Sequence, residues 1–149
     1  MEQAKVLMVC LGNICRSPLA QGLLEQRISH LKIEIDSAGT AGFCTGCYPD
    51  KRSIAVAKKY GINISNQKAR KFTFKDFDYF SHIFTMDKNN YNDIIKLAKT
   101  DSDKKKVKLI LENDQDVPDP YYGDKNSFEY CYKLLDKACE RIADLLSNV

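Results

Sequence analysis

The hydrophobic pattern of the chain changes period within its first 28 residues. Residues 4–10, Ala-Lys-Val-Leu-Met-Val-Cys, form a nearly continuous apolar run, the pattern of a strand buried on both faces of a parallel sheet. A short loop, residues 11–15, follows. From Ser17 onward Leu19, Leu23, Leu24 and Ile28 recur at helical spacing, with Pro18 suited to the first turn. The alternation then repeats. Residues 33–36 predict a second strand, and residues 37–46, with Gly39, Gly42 and Gly46 and no period, a long surface loop. Residues 50–60 predict a helix that turns Ile54, Ala55 and Ala57 inward and stops at Gly61. Residues 82–86 predict a third strand. Residues 89–99 predict a helix with Tyr91, Ile94, Ile95 and Ala98 on one side, and residues 107–111 a fourth strand. Residues 127–146 close the chain as a long helix with Tyr130, Leu134, Leu135, Ala138, Ile142 and Leu145 at core spacing. The charged run Asp101 to Lys106 reads as a solvated connection.

Strands alternating with helices imply an α/β fold in three layers, α/β/α, with a four-stranded parallel sheet and right-handed crossovers, flavodoxin-like or Rossmann-like. In such folds ligands bind at the carboxyl ends of the strands. At 149 residues, 44% of them hydrophobic, the chain is expected to be one domain that buries roughly 68–70% of its unfolded surface. A net charge of +3 is far from the clustered basic excess of a nucleic-acid binder, though it permits anionic substrates. The longest apolar run, residues 6–11, is much shorter than the roughly 20 residues needed to span a bilayer, and Glu2 stands where a secretion leader would be basic. Six cysteines are about 4% of the chain, below the roughly 8–10% of disulfide scaffolds. The expectation is a cytoplasmic protein with free thiols and no membrane segment.

Directly after the first predicted strand stands Cys10-Leu11-Gly12-Asn13-Ile14-Cys15-Arg16-Ser17. Five residues between Cys10 and Arg16 are enough for a backbone to curl round one tetrahedral anion, with N–H groups turned inward and a helix N-terminus adding positive potential. Phosphate fits such a bowl. Gly12 is expected to take the positive φ, Asn13 to hold the turn by its amide, and Arg16 to grip two phosphate oxygens. Cys10 then rises from the floor, where these donors favour thiolate over thiol, and Ser17 can donate to the sulfur. No nucleotide-binding glycine motif occurs elsewhere. A thiolate attack on phosphorus needs an acid for the leaving oxygen. Asp119, in Val117-Pro118-Asp119-Pro120-Tyr121-Tyr122-Gly123, is presented after the fourth strand by a loop that two prolines stiffen. Tyr121 and Tyr122 can flank an aryl group and exclude water.

Both segments resemble the low-molecular-weight protein tyrosine phosphatases, whose nucleophile loop V-C-L-G-N-I-C-R-S-P and acid loop D-P-Y-Y-G stand here verbatim. Ser37-Ala-Gly-Thr40, Pro49-Asp-Lys-Arg52, Lys68-Ala-Arg70, Asp76-Phe77 and Met86-Asp87 follow in the family's order. The resemblance implies hydrolysis of phosphotyrosine and aryl phosphates through a cysteinyl-phosphate intermediate, without metal or cofactor. It implies Cys10 as nucleophile, Arg16 as phosphate binder, Asp119 as general acid and then base, and Ser17 and Asn13 as loop support, with Leu11, Gly12, Ile14, Cys15 and Ser37 completing the phosphate loop and its backing. Phe43, Tyr121 and Tyr122 would wall the pocket. Phosphotyrosine-containing proteins or peptides would be the partners, inorganic phosphate the product and inhibitor, and the protein a monomer that binds no nucleic acid. It also implies a reversible Cys10–Cys15 bridge on oxidation. Gln67 replaces a histidine that many members use to support the loop, so altered loop support is expected.

Two other readings share the bowl. Protein-arginine phosphatases of this fold carry threonine where Ile14 stands, and a phosphotyrosine-binding module without turnover need not keep Cys10 and Asp119 together. Arsenate reduction would use cysteines in residues 80–100, which contain none. Cys44-Thr-Gly-Cys47 is a C-x-x-C pair, of metal or redox type, that lacks the second pair or histidine of a zinc site. His30 and His82 lie far from the motif and support no histidine triad.

Overall fold

The computed structural model describes residues 3–148, so Glu2 lies outside it. Four strands, β1 (Lys5–Cys10), β2 (Glu34–Gly39), β3 (His82–Thr85) and β4 (Val107–Leu109), form one parallel sheet in the order β2-β1-β3-β4. The helices are α1 (Arg16–Arg27), α2 (Lys51–Lys59), α3 (Asp76–Tyr79), α4 (Lys88–Ile95), α5 (Asp101–Lys105) and α6 (Lys125–Ser147). β1 has a neighbour on each side, pairing Cys10 with Gly39 and Val9 with Thr85, which is why its run is apolar throughout. Successive side chains then go to opposite faces. Val6 and Met8 join the core under α1, α2 and α6, while Leu7 and Val9 join Phe77, Phe80 and Ile94 on the other face. The result is the three-layer α/β/α fold.

The chain leaves β1 for β2 on one side and later crosses to β3 on the other. That reversal opens a crevice at the carboxyl ends of β1 and β3, and Cys10 is the last residue of β1. His82 begins β3 and therefore lies at the opposite end of the sheet. Most helix starts are closed by side chains: Asp50 accepts from Arg52 N–H, Asp87 from Asn90 N–H, and Asp124 with Ser127 forms a capping box. α1 has no side-chain cap, so its first N–H groups face the crevice unclaimed.

Several expectations shift. Residues 37–39, read as the start of a surface loop, are strand, with Ser37 and Ala38 buried. Small side chains hid this strand because they carry no apolar signal. β4 ends at Leu109 and α4 at Ile95, both short of their expected ends. α3 and α5 are single turns too short to show a period, and α5 is the solvated connection expected at residues 101–106, with no buried residue. In α2 Val56, not Ala55, turns inward. In α6 Tyr130 and Leu145 are exposed, whereas Cys131, Cys139 and Leu146 are buried. The cysteines complete a stripe that skips both. Leu19, Leu23, Leu24 and Ile28 are all buried as expected. Leu23→Ala leaves a cavity between α1 and the rest of the core and is expected to cost about 2–5 kcal/mol, read from the urea midpoint.

Candidate active site

The loop between β1 and α1 turns its carbonyls outward. Cys10 and Leu11 carbonyls accept from Thr40 and Ala41 N–H, each at 2.9 Å, and the Ile14 carbonyl accepts from Asp50 N–H at 2.8 Å. With its oxygens engaged outside, the loop leaves N–H groups inside. No backbone carbonyl among the described residues takes the N–H of Gly12, Ile14 or Cys15, and the Asn13 N–H donates to Cys10 Sγ at 3.3 Å. This is an anion nest at a helix N-terminus.

The left-handed residue of the loop is Asn13, φ 58°, not Gly12. Asparagine tolerates that conformation, and here its amide holds it in place. Nδ2 donates to Ser17 Oγ at 2.8 Å and to Ser37 Oγ at 2.9 Å, and Oδ1 accepts from Arg70 N–H at 3.0 Å. Asn13→Ala removes all three bonds and leaves a strained backbone. The expected result is a loss of about 10²-fold or more in kcat with a smaller change in melting temperature, from steady-state kinetics and calorimetry. Gly39 has a different reason to be glycine. A Cβ there would stand 2.7 Å from the Leu11 carbonyl oxygen and 3.0 Å from that of Ala41. Gly39→Ala therefore displaces the loop itself.

Cys10 is buried, with Sγ 3.0 Å from Ser17 Oγ. Because Ser17 Oγ already accepts from Asn13, its hydrogen is free for the sulfur, and a thiolate is an acceptor only. Arg16 is 2% exposed, and its Nη1 donates to Asp87 Oδ2 at 2.7 Å and to the Val117 carbonyl at 2.8 Å. Burial alone lowers the guanidinium pKa. Cys10, the Asp87 hydrogen bond and Asp119 outweigh it and raise the pKa above its usual value. Arg16 is thus a fixed cation whose Nε and Nη2 remain for an anion.

Asp119 Oδ2 stands 3.6 Å from Arg16 Nη2, and its Oδ1 accepts from Tyr121 N–H at 3.1 Å. The loop bends back so that Asp119, Tyr121 and Tyr122 face the phosphate loop across a cavity of about 180 Å³. Leu11, Gly12, Ile14, Cys15 and Phe43 line the other side. Phe43 projects into solvent, 72% exposed, with its ring edge above Gly12. Arg52 ties α2 to the acid loop: its guanidinium carbon lies 5.4 Å from the Tyr121 ring and 4.5 Å from that of Phe128.

The geometry comes from two segments 100 residues apart, and comparison with known proteins bears on both. A model of the family "Low molecular weight phosphotyrosine protein phosphatase" matches residues 5–148. The chain belongs to this family. It is 37% identical to the Gallus gallus low molecular weight phosphotyrosine protein phosphatase, covering 93% of each chain, and 39% identical to that of Schizosaccharomyces pombe, covering 91% and 92%. Among solved structures, an Entamoeba histolytica protein tyrosine phosphatase with Hepes in its active site superposes with a TM-score of 0.91 at 34% identity over 98% of both chains. Vibrio vulnificus Wzb in complex with benzylphosphonate superposes with a TM-score of 0.88 at 28% identity, over 96% of this chain and 99% of that one.

Every residue expected at the site is in this region of the low molecular weight phosphatase fold, lining the cavity or, for Asn13, Ser17 and Ser37, buried beneath it. Gln67 stands where altered loop support was the expectation. Its Nε2 donates to the Pro18 carbonyl at 3.1 Å and forms no hydrogen bond with Asn13 or Ser17; Ser37 and Arg70 hold Asn13, and Asn13 holds Ser17. Sequence reasoning gave no role to Asp87, to Arg70 or to the Val117 carbonyl. The signal for Asp87 was its position, an aspartate at the carboxyl end of a strand and the start of a helix. Cys15 is buried in the loop. Burial first, then Asp50 and Cys10, push its thiol up to about 12.

Proposed function

We propose that the chain is a single-domain, monomeric, cytoplasmic phosphatase that hydrolyses phosphotyrosine in proteins or peptides, and aryl phosphates, through a phosphoryl group carried on Cys10. The observation that supports this best is the convergence of Cys10 Sγ, the free edge of Arg16 and the Asp119 carboxyl on one cavity with aromatic sides. Benzylphosphonate, bound by the Vibrio relative, has the aryl and phosphoryl groups such a cavity would hold.

Three non-bridging oxygens of the phosphomonoester would sit among the inward N–H groups, two of them on Arg16 Nε and Nη2. The aryl ring lies between Phe43 and Tyr121. Cys10 thiolate attacks phosphorus in line with the ester oxygen, the S–P bond forms, the P–O bond to tyrosine breaks, and Asp119 gives its proton to the departing phenol oxygen. Water then enters from the vacated side. Asp119, now a carboxylate, takes a proton from that water, its oxygen bonds to phosphorus, and the S–P bond breaks to return thiolate and inorganic phosphate. Ser17 donates to the returning sulfur, as Asn13 leaves its hydroxyl hydrogen free to do. Arg16 gathers charge on the transferring group without moving, because Asp87 and Val117 hold its other nitrogen.

Asp119→Ala is expected to slow aryl phosphates with poor leaving groups by about 10²–10⁴-fold and those with good leaving groups far less. Equal losses across a leaving-group series would exclude proton donation. Oxidation follows from the same loop: a peroxide converts Cys10 thiolate to a sulfenic acid, and the Cys15 thiol condenses with it, forming S–S and releasing water. Gentle peroxide should inactivate reversibly and leave a Cys10–Cys15 bridge on peptide mapping. Substrate class is decided by phosphate release from a phosphotyrosyl and a phosphoarginyl peptide side by side. Release from the tyrosyl peptide is expected, in keeping with the apolar Ile14 at the cavity wall. Release mainly from the arginyl peptide would keep the cysteine chemistry and overturn the substrate.

A further inference from the structure

Cys44 and Cys47 take no part in the chemistry above, yet they are built as a pair. In Cys44-Thr45-Gly46-Cys47 the Cys47 N–H donates to the Cys44 carbonyl at 2.8 Å, and Gly46, third in the turn, has φ +87° while Thr45 has no positive φ. That is a type II turn, whose end Cα atoms lie within about 7 Å. A disulfide spans about 4.4–6.8 Å between Cα atoms, so the backbone already stands close to the required span. The turn is also fixed from outside. Gly46 N–H donates to the Ala69 carbonyl and Ala69 N–H to the Cys47 carbonyl, both at 2.8 Å, and Thr45 N–H donates to Gly42 at 3.2 Å. Closing the bond therefore needs rotation of side chains and little else.

The Cys44 pKa is raised, by burial first and then by the neighbouring Cys47. Both are free, and they differ from the other four cysteines in access: Cys47 is exposed and Cys44 half-buried, whereas Cys10, Cys15, Cys131 and Cys139 are buried. Among the described residues no cluster of three or more His, Cys, Asp or Glu side chains is arranged to hold a metal ion. Cys44 lines the cavity beside Phe43, while Cys47 does not.

We propose that Cys44 and Cys47 form a redox dithiol at the mouth of the cavity, one that closes to a disulfide on meeting a low-molecular-weight disulfide or a peroxide. With a small disulfide R–S–S–R, Cys47 thiolate attacks one sulfur, forms a mixed disulfide and expels one R–S⁻. Cys44, deprotonated, then attacks the Cys47 sulfur and expels the second. Two protein thiols are oxidised, one small disulfide is reduced to two thiols, and the two protein protons go to those thiols. With peroxide, Cys47 becomes a sulfenic acid as one water leaves, and Cys44 displaces the second water. Neither sulfur belongs to the phosphate loop. The bond pins the turn that carries Phe43 and leaves Cys10 as it was, so small aryl phosphates continue to be hydrolysed.

The test holds the intact chain in buffers of glutathione and glutathione disulfide, blocks free thiols by alkylation, and maps the peptides by mass. The expected result is an intrachain Cys44–Cys47 bond formed at ratios where Cys10 and Cys15 are still alkylated, with turnover of a small aryl phosphate unchanged within twofold. Cys47→Ser should abolish the bond and leave basal turnover unchanged. Gly46→Val, which strains the positive φ, should lower the bonded fraction at least threefold in the same buffer. An arsenoxide probe reads the pair independently of potential: it should bridge both thiols of one chain with loss of one water. Separate alkylation of Cys44 and Cys47 at every ratio, bonds only between chains, or no bridged arsenical would each overturn the proposal. Because the bond is read by mass, its absence is distinguishable from a failure of the phosphatase reading.

Discussion

Cys10→Ser is expected to lower phosphate release from any aryl phosphate by about 10⁴-fold or more, the scale seen when an enzyme loses its nucleophile. Binding should survive. The inward N–H groups, Arg16 and its partners Asp87 and Val117 are untouched by the substitution, and Ser17 can hydrogen-bond to the new hydroxyl as it does to the sulfur. Inorganic phosphate should therefore still bind the variant, within about tenfold of the native affinity by calorimetry. A serine hydroxyl in this bowl lacks the thiolate's nucleophilicity, so the two readouts separate. Turnover near the native rate would remove Cys10 as nucleophile. Loss of phosphate binding together with turnover would mean that the loop had collapsed, and Arg16→Lys provides the contrast: it keeps charge and nucleophile but loses the two-toothed grip, and should weaken phosphate binding as well as kcat.

Alkaline pH should unfold the protein steeply. Burial pushes the thiols of Cys15, Cys131 and Cys139 from 9.0 up to about 12. In the unfolded chain these groups lose their protons near pH 9, whereas in the folded chain they keep them. The folded state thus binds more protons between pH 9 and 12, and stability, complete below pH 9, falls as pH rises through that window. Three protons correspond to a limiting slope of about 4 kcal/mol per pH unit, against a total of about 5–15 kcal/mol for a typical domain. Burial likewise raises Tyr132 to about 12, adding to the fall above pH 10. Urea midpoints should be level from pH 7 to 8.5 and drop sharply by pH 10.5. Cys131→Ala and Cys139→Ala should each reduce the slope by about one proton, whatever they do to stability at neutral pH. A midpoint that stays level to pH 11 would contradict this picture.

The parts of the fold legible in the sequence are those where one physical signal dominates. β1 is apolar because both its faces are covered, and the loop after it is readable because Cys10, Arg16 and Ser17 are bound into one turn by local spacing. The end of β2 carries no apolar signal because Ser37, Ala38 and Gly39 suit closeness to the loop: Ser37 serves Asn13, and Gly39 leaves room for the Leu11 carbonyl. The buried face of α6 departs from the expected one because Cys131 and Cys139 act there as small apolar residues, displacing Tyr130 and Leu145 to solvent. The partners of Arg16 were beyond reach for another reason. Asp87 and Val117 lie 71 and 101 residues from it in the chain, and only the reversal of strand order between β1 and β3 brings them together. Gln67 shows the converse, a position singled out by resemblance whose side chain turns to Pro18 instead.

The proposed intermediate carries phosphorus on the Cys10 sulfur. It is tested most directly by rapid mixing of Asp119→Ala, in which the second step also lacks its base, with a phosphate ester of a good leaving group, followed by quenching and peptide mapping. One phosphoryl group is expected on the peptide containing Cys10, bound to its sulfur, with a burst of leaving group equal to the enzyme. No burst and no labelled peptide, with phosphate still released at the steady-state rate, would mean that water attacks phosphorus directly and that the cysteine is not the nucleophile.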